Sequence, residues 1–144
     1  MPLISFGSIL GFALEIENQN LEFISTAATT PSCSDYKDLF EGLTKNSNKR
    51  IKEIQRTRRE NVTEMILESI DGFFREPFVL ESKDVRKMES GEELKSAKAM
   101  FERSIRYYEA AARKLKGQSE VSRSLKTLGK KCKRDLYQIM KQDC

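Results

Sequence analysis

An apolar repeat of eleven residues sets the tightest limit on how this chain can fold. Phe40, Ile51, Val62 and Phe73 stand eleven apart, and so do Leu43, Ile54 and Met65. Eleven residues make three helical turns at about 3.67 residues per turn, so the stripe stays nearly in line along one helix. The spacing predicts a helix of roughly forty residues, far beyond the usual eleven or twelve. Such a rod cannot be the core of a globule and must pack lengthwise on something. Lys45, Lys49, Arg50, Lys52, Arg56, Arg58 and Arg59 stand between its apolar layers.

Other segments share the helical period. Phe6, Ile9, Leu10, Ala13, Leu14, Ile16, Leu21 and Ile24 mark a first helix over 3–24, with Gly7 and Gly11 weakening its start. Ser25–Ser34 reads as a loop, and Ser34 or Asp35 as the next N-cap. Pro77 should kink or break the rod, because proline removes a helix hydrogen bond and clashes with the preceding turn. Lys83–Glu93 is polar, a weaker helix or an inserted loop. Leu94, Ala97, Phe101, Ile105, Tyr108, Ala112 and Leu115 then restore the three-four spacing. Gly117-Gln118-Ser119 supplies a stop, with Ser119 as N-cap of a last helix over 120–142. No strand is expected. The fold class is all-α in one domain over 1–144: a helix at 3–24, a long helix at 35–115 kinked or broken near 72–93, and a basic helix at 120–142.

That last helix carries the most unequal charge. Val121, Leu125, Leu128, Cys132, Leu136 and Ile139 form its apolar stripe. From Arg113 to Cys144 ten bases meet only Glu120, Asp135 and Asp143, although the whole chain has a net charge of just +4. A helix that buries one face and crowds cations on the other suits an anionic surface, either lipid headgroups or nucleic-acid phosphate. The bland alternative, for this zone and for Lys45–Arg59, is a solvated face with Lys and Arg paired to Glu, as Glu53 and Glu60 could pair near Arg56 and Arg59 in the earlier zone.

Much chemistry is excluded by composition. The chain has no histidine, so Ser–His and Cys–His pairs and His-ligated metals cannot be built. Carboxylates four apart, Glu60/Glu64 and Glu64/Glu68, read as a solvated stripe rather than an acid–base pair. Isolated Gly42 and Gly72 make no phosphate loop. Neither an enzyme nor a cofactor is expected. Cys33, Cys132 and Cys144 are too few and too scattered for a disulfide framework or a zinc site, which points to a reduced, cytoplasmic setting. The apolar start lacks a cationic region and meets Glu15 and Glu17 at once, so no signal peptide is expected and the sequon Asn61-Val62-Thr63 counts for little. Cys144 is misplaced for prenylation, and Pro2 stands where myristoylation needs glycine. Aromatic–basic interleaving at Arg106-Tyr107-Tyr108 and Lys133–Tyr137 raises nucleic-acid binding, but Tyr108 and Tyr137 at helical spacing read as packed rings and no DNA- or RNA-binding motif is present.

Three runs carry a family resemblance. They are Glu64-Met65-Ile66-Leu67-Glu68-Ser69-Ile70-Asp71-Gly72-Phe73-Phe74, Lys83-Asp84-Val85-Arg86-Lys87, and the stretch from Ala97 through Phe101, Tyr108 and Ala112 to Lys114. Together with long kinked helices and a basic hairpin, they resemble the BAR-domain family of membrane-curvature proteins, most of all the BAR modules of Arf- and Rho-GTPase-activating proteins. The resemblance implies a partial, three-helix BAR-like coiled-coil bundle, apparently truncated, beginning partway into the family's first helix and stopping within its third. It implies membrane contacts around the tip at Lys114, Lys116, Arg123, Lys126, Lys130 and Lys131, with Lys133 and Arg134 completing the candidate lipid-binding set. The expected function is peripheral adhesion to anionic phospholipid membrane, with curvature sensing and a link to GTPase signalling or trafficking, as a homodimer or with a partner helix. The alternative is a helical adaptor that docks a partner through an exposed Phe40–Ile51–Val62–Phe73 stripe. Nucleic acid is the weaker partner.

Overall fold

The computed structural model describes residues 3, 5–61, 70, 72–89 and 91–142. Helix α1 (Phe6–Thr29) opens on Ser5, whose side chain accepts from the Ser8 backbone while the Ser8 hydroxyl accepts from the Ser5 backbone, a reciprocal cap. It runs past Ile24 because Ala27 is buried in the core and the hydroxyls of Thr29 and Thr30 bond back to Thr26. Pro31 then starts a 3-10 turn over Pro31–Tyr36, so Tyr36, rather than Ser34 or Asp35, precedes helix α2 (Lys37–Glu60).

Helix α2 is 24 residues long and ends where Asn61 leaves the helical region and donates to the Thr57 carbonyl at 2.8 Å. The eleven-residue stripe therefore does not read as one rod through Phe73. Phe40, Leu43 and Ile54 are buried and Ile51 half-buried in α2, whereas Phe73 lies outside any helix. Val62 and Met65 fall outside the described residues. Helix α3 (Glu92–Lys114) follows Gly91, whose φ of +96° suits glycine and whose N–H donates to the Glu93 carboxylate. Every α3 position of the predicted apolar stripe is buried, as are Val121, Leu125, Leu128, Cys132 and Ile139 of α4 (Ser119–Lys141). Ser119 is the first residue of α4 rather than its cap, and Gln118 precedes it without a side-chain cap bond.

The fold is all-α, and no strand forms among the described residues. The four α-helices among the described residues pair as two hairpins, α1 with α2 and α3 with α4. Within the second, Ser122 bonds the Ala112 carbonyl and Lys133 reaches Glu109, so residue numbers rise against each other and the helices are antiparallel. A Cβ on Gly129 would meet the Tyr108 Cβ at 3.3 Å, which shows how closely α4 approaches α3. The hairpins stack with α3 against α1 (Tyr107 hydroxyl to the Ile9 carbonyl, 2.5 Å; Asn20 to Ser104, 2.9 Å) and α4 against α2 (Arg50 to Asp135). Both packings are again antiparallel, the second because Glu53, further along α2, meets Lys131, earlier in α4.

That arrangement sends α2 and α3 in the same direction, so the chain between them must travel the length of the bundle. Residues 72–89 do this as an irregular strap over the α1/α3 side. Leu3 donates to the Phe73 carbonyl at 2.8 Å, Phe73 and Phe78 pack on Tyr107, and Tyr107 meets Phe12 edge-on. Further on, Gln19 donates to the Leu80 carbonyl and the Ser82 hydroxyl, and Val85 is buried. Pro77 sits in a single 3-10 turn, Glu76–Phe78, where its missing N–H costs nothing.

Candidate anion-binding face

Two sets of polar groups stand out, one sealed inside the bundle and one outside. At the centre, Glu17 of α1 accepts from Arg50 Nε (3.0 Å), the Ser47 hydroxyl (3.0 Å) and the Tyr108 hydroxyl (2.6 Å). Arg50 also donates through Nη1 to Asp135 of α4 (2.6 Å), whose other oxygen accepts from Asn46 (2.9 Å). The guanidinium lies 5.6 Å from the Phe101 ring centroid. Burial works against the Arg50 charge, but Glu17 and Asp135 outweigh it and hold its pKa above the ordinary value. Burial raises the Tyr108 phenol and the Cys132 thiol, and Glu17 raises both further. Glu17, Arg50 and Asp135 are at most 3% exposed, so the cluster meets no solute and serves to register α1, α2, α3 and α4 against one another.

The outer set is the surface of α2 and α4. Between Arg123 and Lys141 the exposed residues of α4 are Arg123, Lys126, Thr127, Lys130, Lys133, Arg134, Tyr137, Gln138, Met140 and Lys141, without one acid. Their spacing is three and four, so they share one outward face. On α2, Lys45, Lys49, Lys52, Arg56, Arg58 and Arg59 are exposed, again with no exposed acid from Lys45 to Arg59. The acids of this region are turned inward. Glu53, half-buried, binds Lys131, and Asp135 is buried on Arg50. The two cationic helices are neighbours, so their fields add.

The sequence-predicted lipid contacts divide accordingly. Arg123, Lys126, Lys130, Lys133 and Arg134 come together on α4's outward face. Lys133 also makes an exposed 3.3 Å contact with Glu109, a pair of little energetic weight. Lys131 is half-buried and tied to Glu53, so it belongs to the α2/α4 seam rather than to the open face. Lys114 and Lys116 are exposed at the α3–α4 turn, the end of the bundle, with Lys114 beside Gly72. Sequence reasoning left out the α2 cations Lys45, Lys49, Lys52, Arg56 and Arg59. Their charge was legible, but the packing of their helix beside α4, through Asn46, Arg50 and Glu53, depends on the tertiary arrangement. Tyr137, expected to be a packed ring, is instead 59% exposed, with Lys141 Nζ at 4.9 Å from its ring centroid.

The strap side has a different character. Arg103, 1% exposed, donates to the Phe78 carbonyl (3.1 Å) and the Asn20 side-chain oxygen (2.8 Å), and burial pulls its pKa down to about 10. Two adjoining clefts of about 310 and 280 Å³ lie between α1, α3 and the strap, sharing Phe23, Lys83 and Met100. Among the described residues no helix is long and apolar enough to cross a membrane. Nor does any group of three His, Cys, Asp or Glu residues there lie where it could hold a metal ion. No protein-family model, curated protein or solved structure matches this chain.

Proposed function

We propose that this protein binds anionic phospholipid membrane peripherally, through the cationic face of α2 and α4. The observation that carries the reading is the absence of any exposed acid along α4 from Arg123 to Lys141 and along α2 from Lys45 to Arg59. A solvated helix face kept for solubility would intersperse acids; this one turns Glu53 and Asp135 inward. Each Lys or Arg near an anionic leaflet contributes about 1 kcal/mol, falling off within a Debye length, so adhesion needs several at once on one surface. It requires no bond-making chemistry and no cofactor.

Co-sedimentation with mixed phosphatidylserine–phosphatidylcholine vesicles tests this reading. Reversing Arg123, Lys126, Lys130 and Arg134 to Glu removes about four such contributions, and partition should drop on the order of a thousandfold. Equal retention by pure phosphatidylcholine vesicles, or by the reversed variant, would rule the reading out. Binding to any nucleic-acid duplex with steep salt dependence, and none to vesicles, would assign the face to phosphate backbone instead.

The BAR-like part of the reading adds curvature sensing by a dimer, and it rests on the resemblance. The mass in solution tests it: a stable elongated dimer supports it, and a monomer leaves flat adhesion alone. The adaptor alternative is disfavoured by its own stripe, since Phe40 and Phe73 lie in the core.

A further inference from the structure

Among the described residues, four large apolar side chains are about half exposed or more: Phe74, Val79, Tyr137 and Met140. Phe74 and Val79 are on the strap, near the exposed acids Glu76 and Glu81. Tyr137 and Met140 lie in the acid-free cationic stripe of α4, among Lys133, Arg134 and Lys141. A single exposed tyrosine is ordinary. An aromatic ring and a methionine placed together between cations, on a helix whose other outward residues are polar, match the composition of a helix lying in a membrane interface.

We propose that Tyr137 and Met140 are the interfacial anchors of the docked protein. In this inference, which rests on the membrane reading above, α4 lies along the bilayer with its C-terminal half seated deeper. Tyr137 places its ring at the headgroup–acyl boundary and its hydroxyl in water, the position that an amphipathic ring favours. Lys133, Arg134 and Lys141 bind lipid phosphates around it. The 4.9 Å contact of Lys141 with the Tyr137 ring couples the two, so a phosphate drawn to the ammonium brings the ring to the surface. Charge selects this occupant: an apolar protein groove would have to desolvate the surrounding cations, whereas an anionic headgroup layer neutralises them.

The chain has no tryptophan, so Tyr137→Trp creates a single, selectively excited tryptophan reporter at an exposed position. With mixed phosphatidylserine–phosphatidylcholine vesicles its emission should move to shorter wavelength and be quenched by lipids brominated on the acyl chain. Val79→Trp, on the strap, should keep aqueous emission. Tyr137→Ser combined with Met140→Ser should lower vesicle partition roughly tenfold, about 1.4 kcal/mol, with its salt dependence unchanged. Unshifted emission from Tyr137→Trp on vesicles that co-sediment it overturns the anchor and leaves adhesion standing. A shift at Val79→Trp instead overturns the orientation, and failure of the wild-type chain to co-sediment overturns both proposals. Emission that responds to a nucleic-acid duplex but not to vesicles does the same.

Discussion

Arg50 and Arg103 are each about 1% exposed, yet the first donates to two carboxylates and the second to neutral oxygens. Arg50 locks α2 to α1 and α4 with charge-assisted bonds, and its pKa is raised. Arg103 clasps the strap and α1 to α3, and its pKa is lowered. The same side chain, equally buried, therefore ties helix to helix through carboxylates on one side of the bundle and strap to helix through neutral oxygens on the other. The difference follows the topology. The strap occupies the α1/α3 side, where α1 carries no Lys or Arg at all, and among the described residues the exposed cations of α2 and α4 lie on helices that it does not cross.

The contrast can be broken most forcefully at Arg50. Arg50→Ala leaves Glu17 and Asp135 buried without their counter-charge, and urea unfolding should register a loss of about 3–5 kcal/mol. Replacing Glu17, Arg50 and Asp135 together by leucines should recover most of that loss; a triple variant as unstable as the single one would mean that packing, not charge pairing, sets the seam. Arg103→Ala should cost less, about 1–3 kcal/mol, because it orphans neutral groups. Its sharper signature is faster tryptic cleavage after Lys83, Arg86 and Lys87 with vesicle binding unchanged. Cleavage no faster than wild type would show that the strap does not depend on the clasp.

The smallest effect near neutrality is that of pH. Burial raises Cys132, Tyr107 and Tyr108 above their ordinary values of 9.0 and 10.0, favouring the neutral forms in the folded chain. Their contribution is intact below about pH 9 and is lost as pH rises toward the raised values. Arg103, lowered to about 10, acts with the opposite sign above that pH. The melting temperature should stay level from pH 7 to 9 and then fall, and Cys132→Ala should delay the onset of the fall. A melting temperature that climbs through this range would contradict the assignment.

The periodic stripes of α3 and α4 were legible because each buries a continuous apolar face that packing then uses unchanged. The end of α2 was not: the eleven-residue repeat continues in the sequence through Phe73, but the helix ends at Glu60 and Phe73 packs in the strap. Ser25–Ser34 read as a loop by composition, yet the helix continues to Thr29, because Ala27 is buried in the core. The cations of α4 were visible as a charge excess. Which of them remain free was not, since the pairing of Lys131 with Glu53 joins residues 78 apart. Glu17 gave no signal at all, being one more acid on an amphipathic helix until Ser47, Arg50 and Tyr108 close around it.

The long crossover has one more consequence. A single backbone nick in the strap would divide the chain into two fragments, each keeping a complete helical hairpin. The buried charges would be shared across that cut, with Glu17 and Arg50 on one fragment and Tyr108 and Asp135 on the other. Neither half could hide its own ions, so each carries the complementary lock for the other, and the severed pieces should reassemble as a specific heterodimer rather than as like with like.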